Sequence, residues 1–144
     1  MYEKAPDNGA ERGRNTTEDR EENIMRLILS AGNARSFAIE AYRKARLRSY
    51  AEAEYLMKQA DEAIDAAHVL QTEMITDELN GSASGITMLA VHAQDHTMNA
   101  LTVIDLVREM ILTMKEERDE ANHTALRAGH VDRNADEADA CRSC

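Results

Sequence analysis

Two histidines and a carboxylate stand in Val91-His92-Ala93-Gln94-Asp95-His96, inside an apolar run from Ile86 to Met114. Residues three and four apart share a face of a helix, so His92, Asp95 and His96 project together as one polar cluster. A neutral imidazole can act as nucleophile, proton carrier or metal ligand. A carboxylate among apolar residues is costly unless a charge or a donor meets it. Asp95 therefore marks either contact with a partner or a bound metal ion. On spacing alone, a helical histidine is more often structural or solvated than catalytic.

A second set invites comparison. Asp65-x-x-His68 and His92-x-x-Asp95 place carboxylate and imidazole three apart on two helices, as in bundles that hold two metal ions. Such sites need two Glu-x-x-His motifs and two further Glu, which these residues do not supply. Cys141-x-x-Cys144 lacks a second ligand pair at zinc spacing and reads as two spectator thiols in a terminal segment. His123 and His130 read as solvated, and the eight Met residues read as core filling at helical spacing.

The elements that must position the cluster are helical. A chain of 144 residues with one Pro and six Gly, rich in Ala, Glu, Leu, Met and Arg, favours one all-α domain. With aromatics at 3% and no Trp, the core must be built from Ala, Leu, Ile, Val and Met. A net charge of −10 argues against a general nucleic-acid or anionic-membrane binder. No apolar run reaches the roughly 18 residues of a membrane span, and a cytoplasmic protein is expected.

Residues 1–16 carry no apolar period and read as a flexible arm. Thr17 suits an N-cap ahead of Glu18 and Asp19. Ile24, Leu27, Ile28, Ala31, Ala34, Ala38, Ala41 and Ala45 then trace a helical stripe ending near Arg46. Ser49 and Glu52 match a capping box. Ala53, Leu56, Ala60, Ala63, Ala67, Leu70 and Met74 follow as a second stripe, with His68 and Gln71 flanking it one turn apart. The short connection implies antiparallel packing.

After the break at Asn80-Gly81-Ser82-Ala83-Ser84-Gly85, a third helix is expected from about Ile86 to Glu117. It carries two stripes. Leu89, Ala93, His96, Ala100, Val103, Val107, Met110 and Met114 form one; Met88, His92, Asp95, Asn99, Thr102 and Leu106 form the other. Two helices can cover only one of them, so the second calls for an oligomer with this helix near the symmetry axis. Domain bounds follow: an arm over 1–16, a three-helix domain over 17–118 and a charged flexible tail over 119–144.

Three segments in order carry a family resemblance: Ile28-Leu29-Ser30-Ala31-Gly32-Asn33-Ala34-Arg35-Ser36, Ala67-His68-Val69-Leu70-Gln71-Thr72, and the hexapeptide Val91–His96. The chain resembles the IIA component of the lactose/cellobiose (chitobiose) branch of the bacterial phosphoenolpyruvate-dependent sugar phosphotransferase system. The resemblance implies an up-down-up antiparallel three-helix protomer that trimerises into a nine-helix bundle. It implies that His92 accepts a phosphoryl group from HPr and passes it to a cysteine of the cognate IIB protein, which serves a IIC membrane permease. It also implies that Asp95 binds a divalent metal ion, Mg2+, at the trimer axis.

Supporting roles toward the phosphoryl oxygens fall to His96, Gln94 and His68. Asp95 would repel phosphate unless a metal or a proton neutralised it. Two departures stand out: Arg48-Ser49 where the family commonly reads Gly-Asp, and Thr97-Met98 where it reads Leu-Met. The alternative is a non-catalytic helical bundle with an interaction or regulatory role that kept the scaffold.

Overall fold

The structure, a computed structural model, describes residues 17–81 and 85–140, with side chains up to Arg127. Three helices follow one another: α1 (Thr17–Arg46), α2 (Tyr50–Leu79) and α3 (Met88–Ala140). The expected all-α, up-down-up bundle is what forms. Parallel α1 and α3 start together, where Arg20 Nη2 donates to the Gly85 carbonyl at 2.8 Å. The α2–α3 pair runs antiparallel: Tyr50 at the start of α2 reaches Met114, and Gln71 near its end reaches Gln94.

Both other helices pack on α1, and α2 and α3 touch each other little. The reason is in the side chains. Along α1 the buried residues are Ile24 and Leu27, then Ala31, Ala34, Ala38, Ala41 and Ala45. α2 answers with Ala53, Ala60 and Ala67, and α3 with Ala90, Ala93 and Ala100. Methyl-sized groups let the helix axes approach closely, and larger residues fill the space where the helices diverge. Met57, Ile64, Ile104, Val107 and Ile111 supply that bulk.

The expected α1 stripe is the buried one. On α2 the buried register includes Met57 and Ile64, with Leu56, Ala63 and Met74 packed partly against the core. On α3 the expected first stripe is shifted. The buried row is Ala90, Ala93, Thr97, Ala100, Ile104, Val107 and Ile111, while Leu89, His96, Val103 and Met110 lie on its shoulder or outside it. A wide apolar stripe has no unique centre in sequence, and contact with α1 chose it.

Methionine fills the core only in part. Met57 is buried, Met74 and Met114 pack partly against the core, and Met25, Met88, Met98 and Met110 are exposed.

Several polar links bridge α2 and α3 across the gap. Arg108 Nη2 meets Asp61 Oδ1 at 2.6 Å, Lys115 pairs with Glu54, and the Tyr50 hydroxyl donates to the Met114 carbonyl at 3.1 Å. The Lys115 hydrogen bond, helped by its charge, holds the Glu54 carboxyl below its ordinary pKa.

Residues 47–49 turn the chain in three steps. The Ser49 amide donates to the Lys44 carbonyl at 3.1 Å and the Arg48 amide to the Ala45 carbonyl at 2.8 Å. This is the Schellman pattern, and its left-handed position is filled by Arg48 at φ 62°. The expected capping box does not form. Ser49 makes no side-chain cap bond, and Glu52 instead accepts from Lys44 Nζ at 2.5 Å across the turn. Glu52 has a full positive charge in reach, which outbids a backbone amide.

α3 also runs past its expected end near Glu117. Residues 116–127 are exposed apart from half-buried Arg118, yet the backbone stays helical to Ala140. Ala, Glu, Arg and Leu sustain a helix with no Pro to stop it. The arm over 1–16 and the Cys141–Cys144 motif lie outside the described residues.

Two outcomes test this account. Arg48→Gly removes the Cβ from a left-handed residue, so it is expected to stabilise the fold by about 0.5–1 kcal/mol in chemical denaturation. Glu54 has its pKa depressed, so its contribution is present above the unfolded carboxylate pKa and lost as pH falls through the folded one. Glu54→Gln is therefore expected to lower the urea midpoint at pH 7, and to lower it by less as the pH falls into the acid range.

Candidate functional site

α3 begins at a cap the sequence reading passed over. Thr87 Oγ1 accepts the Ala90 amide at 3.1 Å and the Thr87 carbonyl accepts the Val91 amide at 3.1 Å. This fixes the helix start one turn before His92. His92 is exposed and His96 half-buried, and their rings meet edge to face at 4.6 Å between centroids. The expected pairing of these two histidines is present.

Beneath His96 the helix is anchored by Thr97. This is a fully buried polar residue whose hydroxyl donates to the Ala93 carbonyl at 3.0 Å. The departure at this position thus enters the core with its one polar atom satisfied, and it leaves His92 and His96 on the outer shoulder.

Asp95 is exposed. With His96, Asn99 and Val103 of α3 and Arg35 of α1 it lines an open groove of about 340 Å3. Arg35 adds a guanidinium to the cluster, a planar donor suited to phosphoryl oxygens. Sequence spacing could not find it. Arg35 lies on another helix, and only the parallel packing of α1 and α3 brings it here.

Gln94 and His68 fall elsewhere. Two residues after His92, Gln94 projects about 200° around α3. It is half-buried, and its Oε1 accepts from Gln71 Nε2 of α2 at 2.5 Å. His68 is half-buried on α2, one turn before Gln71. The chain thus carries two separate groups on different sides of α3: His92, Asp95 and His96 with Arg35, and Gln94 with Gln71.

No group of three or more His, Cys, Asp or Glu able to hold a metal is gathered among the described residues. Asp65 and His68 do not combine with His92 and Asp95, which removes the two-metal reading. One Glu-x-x-His spacing passed over in the sequence, Glu120 to His123, lies with Glu116 and Asp119 on the exposed length of α3. No described helix is long and apolar enough to cross a membrane.

The outward face of α3 is apolar around the cluster. Met88, Val91, Met98 and Leu106 are 83%, 50%, 56% and 54% exposed, and with Asp95 and Thr102 they follow helical spacing away from the α1 contact. The expected second stripe (Met88, His92, Asp95, Asn99, Thr102 and Leu106) is exposed throughout, and Val91 and Met98 beside it make this face more apolar than that stripe alone.

Residues 22–115 match the family profile described as the lactose/cellobiose-specific IIA subunit of the phosphotransferase system. The lichenan-specific phosphotransferase enzyme IIA component of Bacillus subtilis is 44% identical over 94 residues, which is 65% of this chain and 86% of that protein. The cellobiose-specific enzyme IIA crystal structure from Bacillus anthracis superposes with a TM-score of 0.67 at 46% identity, over 72% of this chain and 94% of that one. The chitobiose IIA in a complex with HPr from the Escherichia coli system gives 0.61 at 31% identity, over 69% and 96%.

Carbethoxylation tests the exposure pattern. With peptide mapping, His92 and His123 are expected to react first, and half-buried His68 and His96 more slowly. Equal rates at His92 and His96 would contradict the geometry.

Proposed function

Because the chain belongs to the lactose/cellobiose-specific IIA family of phosphotransferases, we propose that it is the phosphocarrier of a sugar uptake relay in the cytoplasm, with His92 as the residue that carries the phosphoryl group. The observation that carries this reading is the exposed His92 ring on a capped, rigid helix, beside His96 and in the neighbourhood of a guanidinium.

In the forward step the unprotonated His92 nitrogen attacks phosphorus on the phosphohistidine of HPr. The new N–P bond forms as the donor's N–P bond breaks, and the donor imidazole leaves with the electron pair. A thiolate of the cognate IIB cysteine then takes the phosphoryl group, and His92 is regenerated. A loose, in-line transfer of this kind needs positioning and charge stabilisation more than covalent help. A donor hydrogen from His96 and the charge of Arg35 meet the phosphoryl oxygens. HPr as donor is supported by the IIA–HPr complex among the similar structures.

The outward apolar stripe of α3 supports a homotrimer with this face inside. In that assembly Gln94 acts on a neighbour's site, since within its own protomer it meets Gln71, and His68, one turn from Gln71, joins it there. A metal does not fit one protomer, which offers a single carboxylate there. Three Asp95 side chains at an axis would supply oxygen donors of the kind Mg2+ takes. Bound there, the ion would neutralise their mutual repulsion. The sugar is of the lactose, cellobiose or chitobiose type, by the names of the relatives.

The test is phosphoryl transfer from phosphoenolpyruvate through enzyme I and HPr, read as one acid-labile phosphoryl mass on the intact chain. Wild type is expected to take it up, and His92→Ala to lose all acceptance with its helicity unchanged. Label that persists on the variant would assign the role to another histidine.

A further inference from the structure

We propose a second site at the turn end of the bundle, which binds a small phosphate-bearing anion. Arg46 at the end of α1, Arg48 of the turn, Tyr50 of α2, and Met114, Glu117 and Arg118 of α3 line an open pocket of about 220 Å3 there. Along α3 its Arg118 lies about 39 Å from His92, so it is no part of the His92 cluster and the inference goes beyond the relay.

Charge bookkeeping inside the fold leaves this pocket positive. The nearby carboxylates Glu52 and Glu54 are engaged by Lys44 and Lys115. Asp119 accepts from Nε and Nη2 of Arg118 at 3.1 and 2.9 Å, which leaves Nη1 of that guanidinium. Arg46 and Arg48 make no ion pair among the described residues. In a chain of net charge −10, three guanidinia stand here against the carboxylates of Glu117 and Asp119, which leaves a local excess of positive charge suited to an anion.

Two further observations are independent of that charge count. Arg48 occupies φ 62°, the left-handed position that glycine fills at the lowest cost, so a charged side chain stands where the turn itself asks for none. Arg118 is also pre-set: its guanidinium lies 4.7 Å from the centre of the Tyr50 ring, and the Tyr50 hydroxyl is tied to the Met114 carbonyl. A fork held in place before binding loses less freedom on meeting its ligand.

The chemistry selects the class of ligand. Guanidinium forks match phosphate oxygens in bidentate geometry. The volume falls below the roughly 300 Å3 at which drug-sized pockets begin, which favours one or two phosphate groups over a whole nucleotide.

The probes are inorganic pyrophosphate, titrated calorimetrically at low salt with amide shifts followed by NMR, and phosphatidylglycerol vesicles, followed by co-sedimentation. The variant is R46Q/R48Q, in which Gln keeps a Cβ at the left-handed position and removes only charge; Arg26→Gln at the other end of α1 is the control. One pyrophosphate per protomer is expected, with shifts at residues 46–50 and 118, binding at least tenfold weaker in R46Q/R48Q, and no change in Arg26→Gln or His92→Ala. Vesicle binding lost in the same double variant, without pyrophosphate binding, would identify the phosphate as a lipid headgroup. Equal titrations for wild type and R46Q/R48Q, no binding of either probe, or loss of binding in His92→Ala would overturn the proposal.

Discussion

The rest of the structure depends on how closely α2 and α3 approach α1. From Ala31 to Ala45 every buried position of α1 is alanine. The short side chain sets the helix separation, and that separation leaves no interior volume for large residues on the outer half of α3. Met88, Met98 and Leu106 lie on the side of α3 turned away from the α1 contact and are exposed. The face that bears Asp95 is therefore apolar and uncovered within a single chain.

α3 is therefore asked to do two things by different sides of one cylinder. Its inner row, Ala90 to Ile111, holds the bundle, and its shoulder presents His92 and His96. The backbone between them is fixed at one end by Thr87 and in the middle by Thr97, whose hydroxyl is satisfied within the helix. A histidine on such a support is held in place by the backbone, and positioning is what the proposed phosphoryl transfer would chiefly demand of it. The thin α2–α3 contact, bridged mainly by Gln71, Asp61, Glu54 and Tyr50, is where polar links replace packing.

The turn between α1 and α2 shows a second balance. A Schellman motif needs one left-handed residue, and here an arginine takes it. The basic run at the end of α1 complements the negative end of that helix dipole, but dipole complementarity calls for cations in the last turn and not for one at the strained position beyond it. Lys44 already spans the turn to Glu52, and that hydrogen bond, with the charge of Glu52, raises the lysine's pKa above its ordinary value.

What the sequence by itself determined was the helical architecture. Three helices and the α1 stripe follow from a 3.6-residue period, which is local and needs no partner to be read. The hexapeptide likewise put His92, Asp95 and His96 on neighbouring positions of one helix, because spacing of three and four is a property of the helix alone. The register of α3 was not determined: Leu89, His96 and Val103 fit an apolar stripe as well as Ala90, Thr97 and Ile104 do, and contact with α1 broke the tie. Nor was the Lys44–Glu52 pair legible, since Glu52 had a backbone amide and a lysine eight residues away to choose between. Arg35 beside Asp95, and Gln94 turned toward Gln71 and away from His92, were decided by tertiary structure alone. Those neighbours lie 60 and 23 residues apart in the chain, and only the direction in which helices pack brings them together.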